Sequence, residues 1–410
     1  MNSYDNVKNL SELKKDSDIK DLSYISSPGS HCGLYGSMLV TNNISELATV
    51  VIGTEECAYY TKLSCINKGK LENSFSLVLN DNDIALGFDS KLEGFLEEII
   101  ESKSLRAIVV VTTCIVELIG TDIEPIINNI EERFNVKILL VKTEHFKCDN
   151  YLEGIEKTLT GMSKLVKYDI KQEESVNILG SRNYSIMNSE LVTTLKENNI
   201  KINSEFPYNC NSLKVVENLG KAKLNIVVDY TALNLAKKMK ANSNIDYIIF
   251  YKNLNPYEIN NQYKNLFSVL NIDSYKIKSK FNYALDLVEK HKYIHENETF
   301  ICDSMLMSPF KITNFLMGLK MKPIMIQAKQ ILEYEKNEIE SILSNGENPK
   351  VCKQGNLSEL KNLYKLNTPN VFIGTEDSKI LEKYNIKHIR SFNLSMSNGF
   401  DLLIEFLNLL

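Results

Sequence analysis

The chain has 410 residues, of which 43% are hydrophobic and 24% charged, so it is globular in composition and long enough for two or three domains. A formal net charge of −5, with no long basic run, argues against a nucleic-acid partner. No window approaches the roughly 18 apolar residues of a membrane span, and the first residues lack the apolar core of a secretory signal. We therefore expect no membrane partner and a cytoplasmic protein whose thiols stay reduced.

Short apolar runs rich in β-branched residues alternate with amphipathic stretches along the chain. Several runs are almost entirely apolar, which is typical of parallel strands covered on both faces. The predicted strands span residues 48–52, 107–111, 137–141, 176–179, 224–228, 247–250, 299–302, 323–326 and 370–373. Residues 92–100 and 187–195 carry apolar side chains at helical spacing. This alternation predicts parallel sheets with right-handed crossovers.

The alternation restarts after two polar segments, at residues 171–175 and 289–298. We therefore expect three Rossmann-like α/β domains, each a parallel sheet with helices on both faces, arranged around a central cleft. The first domain, residues 1–170, would carry the cysteines described below. The second would span residues 171–290, and the third, residues 291–410, would end in a helix that returns to the first domain.

Several common motifs are absent from the 410 residues. Without a G-x-x-x-x-G-K-[ST] loop, the chain is not expected to hydrolyse ATP, and no G-x-G-x-x-G follows a strand. No C-x-x-C pair of the kind that binds zinc is present either. The chemistry of this chain must therefore come from residues that only the fold brings together.

Three cysteines in the first third of the chain, Cys32, Cys57 and Cys114, lie beside turns and have glycine or threonine close by. Cys57 and Cys114 each follow a predicted strand, and open α/β sheets bind ligands at the carboxyl ends of their strands. Three converging thiolates would suit an iron–sulfur cluster, with the last ligand from elsewhere. The alternative is that each cysteine is a small buried core residue.

The motifs around these cysteines resemble those of nitrogenase component 1 and its relatives. That family includes dinitrogenase subunits, cofactor-assembly scaffold subunits and the catalytic subunits of dark-operative protochlorophyllide reductase. Residues 52–57 read Ile-Gly-Thr-Glu-Glu-Cys, and residues 112–122 read Thr-Thr-Cys-Ile-Val-Glu-Leu-Ile-Gly-Thr-Asp. The latter segment matches the family pattern T-(T/S)-C-x-x-E-x-I-G-x-D at every fixed position, and the 25 residues from Cys32 to Cys57 also fit. Residues 176–180 and 220–228 resemble the dinitrogenase α-subunit, whereas the segment beyond residue 290 fits only by its α/β pattern.

The resemblance implies that Cys32, Cys57 and Cys114 bind an iron–sulfur cluster, either [4Fe–4S] or P-cluster-like, at an interface with a partner. The partner would be a homologous component-1 subunit, in a hetero- or homo-oligomer, and would supply the remaining ligands. The resemblance further implies an oxidoreductase subunit that passes electrons from a separate ATP-hydrolysing iron protein to a bound substrate. Two alternatives stay open: a scaffold on which a metal cofactor is assembled, and a non-enzymatic ligand-binding protein with fortuitous cysteines.

Asp229 stands where the resemblance places the cysteine that holds the iron–molybdenum cofactor in the dinitrogenase α-subunit. A carboxylate is a harder iron ligand than a thiolate, so we do not expect nitrogen reduction on that cofactor. His388 lies some residues early for the family's cofactor histidine and is not assigned. We expect Asp229 to mark a cavity for another cofactor, or for a tetrapyrrole-like or small organic substrate. The alternative is an ordinary polar residue at the end of a strand.

Overall fold

The computed structural model describes residues 7–15, 18–20, 22, 32–42, 44–66, 72–103, 105–144, 150–182, 184–273, 275–303, 307–328, 330–353, 357–366 and 368–410. Within these ranges strands alternate with helices, and the strands form three sheets in which every pairing is parallel. The predicted α/β class is therefore confirmed. None of the helices in these ranges has the length and the apolar character needed to cross a membrane.

The first sheet has the strand order β2-β1-β3-β4. Its strands are β1 (Leu47–Gly53), β2 (Ser74–Val78), β3 (Ala107–Thr112) and β4 (Lys137–Lys142). The helices of this part of the chain are α1 (Gly33–Thr41), α2 (Glu55–Ile66), α3 (Asp81–Leu86), α4 (Asp89–Ser102), α5 (Cys114–Ile119), α6 (Glu124–Phe134) and α7 (Tyr151–Met162). The two central strands, β1 and β3, are buried along their whole length, as their apolar sequences predict.

The second sheet has the order β6-β5-β7-β8. Its strands are β5 (Glu173–Ser181), β6 (Lys201–Pro207), β7 (Ala222–Val227) and β8 (Asp246–Ile249). Three helices lie in this stretch of the chain: α8 (Glu190–Glu197), α9 (Leu213–Glu217) and α10 (Leu233–Ser243). In both sheets the strand order reverses in the middle, between β1 and β3 and between β5 and β7. Such a reversal separates the crossovers on either side and opens a crevice at the carboxyl ends of the two central strands.

The third sheet has the order β11-β10-β9-β12-β13. Its strands are β9 (Thr299–Asp303), β10 (Lys322–Gln327), β11 (Lys350–Cys352), β12 (Val371–Gly374) and β13 (Lys387–Arg390). The accompanying helices are α11 (Pro256–Leu270), α12 (Tyr275–Ile294), α13 (Pro309–Gly318), α14 (Lys336–Ser344), α15 (Leu357–Leu366), α16 (Ser378–Glu382) and α17 (Gly399–Leu409).

The chain divides into two compact units, each made of more than one segment. One unit lies within Ser30–Ser185 and Asn199–Phe250, and contains the first and second sheets; we call it the cysteine unit. The other lies within Met1–Gly29, Ile186–Asn198 and Tyr251–Leu410, and contains the third sheet. The division into three domains at residues 170 and 290 stays a prediction.

Helices α1 and α7 of the cysteine unit touch main chain to main chain. A Cβ atom built on Gly154 would overlap the carbonyl oxygen of Gly33, and one built on Gly36 would overlap that of Tyr151. Beside this contact, the hydroxyl oxygens of Ser37 and Thr158 lie 2.9 Å apart, which adds a polar link between the helices. The crossing therefore requires glycine, and it determines where the start of α1 lies.

Gly154→Ala is expected to lower the free energy of unfolding by about 1–3 kcal/mol, because the new methyl group must push α1 and α7 apart. The matched control is Gly94→Ala in the exposed middle of α4, where an added Cβ meets nothing within 4 Å. That change should raise stability by about 0.5–1 kcal/mol, since alanine favours the helix over glycine. Urea unfolding of both variants measures the difference. A Gly154→Ala variant as stable as the wild type would show that the helices do not meet this closely.

Candidate functional site

Cys57 and Cys114 lie at the carboxyl edge of the first sheet, where its strand order reverses. Strands β1 and β3 are parallel neighbours, with Ile52 opposite Thr112 near their ends. The backbone N–H and the hydroxyl of Thr113 both donate to the carbonyl oxygen of Ile52, at 3.1 and 2.9 Å. This joins the two strand ends, so that Cys114 begins α5 and Cys57 lies in the first turn of α2 beside it.

The other fixed residues of the two motifs have local structural roles. A Cβ on Gly53 would overlap the hydroxyl of Thr113, so only glycine allows the strand ends to approach. The hydroxyl of Thr112 donates to Glu117 at 2.8 Å, which ties the strand to the following helix. Gly120 ends α5 in a left-handed conformation, with φ of 70°. These residues shape the turn that presents Cys114.

Cys32 caps the N-terminus of α1, and its position follows from the packing of α1 on α7. Burial raises the pKa of its thiol, and the nearby Cys57 and Cys114 raise it further, while the backbone N–H groups of Tyr35 and Leu34 oppose this. Since both other thiols act electrostatically on Cys32, the structure brings the three predicted cysteines into one neighbourhood.

The donor chemistry of this neighbourhood fits an iron–sulfur cluster. The three thiols are partly exposed, form no disulfide, and lie at helix N-termini. Soft thiolates are the ligands of such clusters. Over the described residues, no group of three His, Cys, Asp or Glu side chains is arranged to hold a metal ion. A cluster is held at several iron atoms, so it accepts thiolates that lie further apart than the ligands of one ion.

Three tyrosines beside Cys32 were not predicted from the sequence. The ring of Tyr35 lies 6.2 Å from that of Tyr60 and 6.0 Å from that of Tyr151, measured between centroids. Burial, with a contribution from Cys32, raises the pKa of Tyr60 to about 12. The three rings give the thiols an aromatic border. Nothing in the sequence marks them, because they come from three different helices.

Asp229 follows strand β7, at the carboxyl edge of the second sheet, and its carboxylate is engaged on both oxygens. Oδ1 accepts from the backbone N–H of Thr231 at 3.0 Å and from its hydroxyl at 2.6 Å. Oδ2 accepts from Nη2 of Arg182 at 2.8 Å. Gly180, with φ of 106°, lets β5 pass close by, since a Cβ there would lie 2.8 Å from Cβ of Asp229. Arg182 is a further residue that the sequence analysis missed.

In the chain without bound iron, Cys32 is expected to react with iodoacetamide with a pH midpoint above that of an ordinary thiol. Its raised pKa leaves less thiolate at a given pH, so alkylation at pH 8 should be slow and should accelerate at higher pH. Removing the two neighbouring thiols by Cys57→Ala and Cys114→Ala should lower the midpoint, although burial remains. Mass spectrometry of the Cys32 peptide across a pH series measures this. A midpoint unaffected by the double substitution would show that the thiols are not neighbours.

Two kinds of sequence comparison bear on these residues. The family model described as Nitrogenase component 1 type Oxidoreductase matches residues 32–398. The chain is 29% identical over 224 residues to the nitrogenase iron-molybdenum cofactor biosynthesis protein NifE of Clostridium pasteurianum, covering 53% of this chain and 49% of NifE. It is 25% identical over 229 residues to the nitrogenase molybdenum-iron protein alpha chain of the same organism, covering 51% and 42% of the two chains. The chain thus spans about half the length of the curated relatives it matches.

Solved structures resemble the chain over nearly its whole length. The structure titled "Nitrogenase Cp1 at pH 6.5" superposes with a TM-score of 0.72 at 14% identity, covering 94% of this chain and 92% of that one. A second, "Nitrogenase Cp1 at pH 5", gives a TM-score of 0.61 at 16% identity, covering 98% and 92%. At such identities the likeness establishes the fold alone.

Proposed function

The chain belongs to the nitrogenase component 1 type oxidoreductase family, and we propose that it is a nitrogenase-like oxidoreductase subunit whose Cys32, Cys57 and Cys114 hold part of an iron–sulfur cluster. The observation that carries this proposal is the gathering of three thiols at helix N-termini beside the reversal of the first sheet. Members of the family bind iron–sulfur clusters, associate with homologous subunits and work with an iron protein. The proposed subunit acts in the cytoplasm, where its thiols stay reduced.

The cluster, [4Fe–4S] or P-cluster-like, would supply one-electron storage between an ATP-dependent iron protein and a bound substrate. Three thiolates leave at least one iron position for a homologous partner subunit. Within this chain, Cys32 would bind from the start of α1, Cys57 from the first turn of α2 and Cys114 from the start of α5. The backbone N–H groups of Leu34 and Tyr35 stabilise the Cys32 thiolate, and the tyrosines around it limit the access of water.

We propose that the substrate is not dinitrogen bound to iron–molybdenum cofactor. Asp229 occupies the place of the cofactor cysteine in the family pattern, and its two oxygens already accept hydrogen bonds from Thr231 and Arg182. A carboxylate held in this way has little capacity left to bind a metal. Asp229 belongs instead to a site for a different cofactor or a small organic substrate.

A second candidate function is a scaffold for the assembly of a nitrogenase-type metal cofactor. The specific observation in its favour is the similarity to NifE, a nitrogenase iron-molybdenum cofactor biosynthesis protein. The three cysteines would bind a cluster in either case. The two functions differ in what leaves the protein: electrons from an enzyme, and a metal cluster from a scaffold.

Cys57→Ala is expected to lose most of the iron and the brown colour of the protein, because it removes one of three cluster thiolates. The full chain, co-expressed with its homologous partner and purified without oxygen, provides the sample. Cys65→Ala is the matched control, since Cys65 lies on the same helix but is buried, 3.8 Å from Asn42. It should keep its iron. Iron analysis and visible absorption measure both variants, and a colourless, iron-free wild type would disprove the proposed function.

Iron isotope labelling distinguishes the oxidoreductase function from the scaffold function. The ⁵⁷Fe-loaded protein is mixed with iron protein, ATP, a reductant and a cofactor-free component 1 acceptor. An oxidoreductase subunit should take up electrons in an ATP-dependent manner and retain its label. Transfer of most of the label to the acceptor would contradict the enzyme and establish the scaffold. Mössbauer spectra of the two separated proteins measure where the label lies.

A further inference from the structure

The second sheet reverses its strand order between β5 and β7, just as the first sheet does between β1 and β3. At the first reversal lie Cys57 and Cys114, each following one of the two central strands. At the second reversal the corresponding residues are Arg182, directly after β5, and Asp229, shortly after β7. Because open α/β sheets bind ligands at this place, the second reversal is a candidate binding site in its own right.

Arg182 carries an unused donor at this place. Its side chain is only 9% exposed, and Nη2 donates to Asp229. Nη1 is buried and has no hydrogen-bond partner. Buried N–H groups are almost always paired, and leaving a charged one unpaired is costly, so an acceptor is missing from this position.

The neighbouring groups do not supply that acceptor. Both oxygens of Asp229 are engaged, one by Thr231 and the other by Nη2. The phenols of Tyr151 and Tyr230 lie near the guanidinium, and the Tyr151 hydroxyl is close enough to the Arg182 side chain that hydrogen bonding opposes the rise that burial causes in the pKa of Tyr151. Neither phenol has hydrogen-bonding geometry with Nη1. The acceptor must therefore come from outside the described residues of the chain. A guanidinium with one edge held by a carboxylate presents its other N–H groups in a planar fork that suits the oxygens of carboxylates and phosphates.

We propose that Arg182 binds an oxyanion, the carboxylate or phosphate group of a small ligand, at the strand-order reversal of the second sheet. Asp229 is the counter-charge of the guanidinium and occupies Nη2, which leaves Nη1 for the ligand but weakens the attraction of Arg182 for an anion. This proposal deepens the proposed function, because it gives the chemical class of the ligand at the Asp229 site. The binding itself does not require the cluster.

The test measures anion binding to the purified full chain by calorimetry and by the shift in thermal unfolding. Inorganic phosphate and succinate are the two probes, each at constant ionic strength, and they distinguish a phosphate ligand from a carboxylate ligand. Wild type should bind at least one of them saturably. The double variant Arg182→Gln/Asp229→Asn removes the ion pair as a unit, which avoids a lone buried charge, and should weaken binding at least tenfold.

Two single variants complete the test, one that removes the counter-charge of Arg182 and one that serves as a control. Asp229→Asn leaves Arg182 in place but removes its counter-charge, so it should bind the same anion at least tenfold more tightly. A purely structural ion pair would give no such gain. Arg106→Gln is the control, because Arg106 is an exposed arginine of the same unit, paired with Glu217. It should bind like the wild type.

The outcomes separate this inference from the proposed function. No saturable binding to the wild type, equal binding by the double variant, or no gain with Asp229→Asn would each overturn the role of Arg182. Iron content, measured in the same samples, reports on the cysteines alone. Iron retained without anion binding would reject only the oxyanion site, whereas anion binding by an iron-free wild type would reject only the cluster.

Discussion

The main-chain contact between α1 and α7 is the constraint on which the cysteine site depends. Cys57 and Cys114 follow adjacent strands, so the sheet itself brings them together. Cys32 precedes the first strand, and the packing of α1 against α7 through Gly36 and Gly154 helps to hold it beside them. Helix α7 also lies close to the strand-order reversal of the second sheet, because its first residue, Tyr151, is near Arg182. One helix crossing thus supports both candidate sites of the cysteine unit.

The strands that the sequence predicts and those it misses differ in their place in the sheet. Every central strand was predicted, because a parallel strand covered on both faces needs an apolar sequence. The missed strands, β2, β6, β11 and β13, are all edge strands. Strand β6 reads Lys-Ile-Asn-Ser-Glu-Phe-Pro and β13 reads Lys-His-Ile-Arg, which are polar enough to look like loops. An edge strand is paired on one side only and tolerates polar residues, so apolar runs reveal some edge strands, such as β4 and β8, but not these four.

The candidate sites differ in the same way. The cysteines were predicted because a reactive residue type recurs in motifs of fixed local spacing. Arg182 was not, because a single arginine after a strand has no local pattern, and its partner Asp229 lies 47 residues further along the chain. A signal did exist: a basic residue two positions after Gly180, at the end of a predicted strand. Its meaning depends on burial and on an unpaired Nη1, and both are properties of the tertiary structure.

The crossing of α1 and α7 also limits how the cysteine unit can diverge. Where two side chains meet, a larger residue on one helix can be offset by a smaller one on the other. Here the neighbour of each glycine is a carbonyl group, which every residue possesses, so no second substitution can make room. Most of the surrounding residues can therefore change during evolution while the path of the main chain at this crossing stays the same. The position of Cys32 relative to the other two cysteines then stays the same as well.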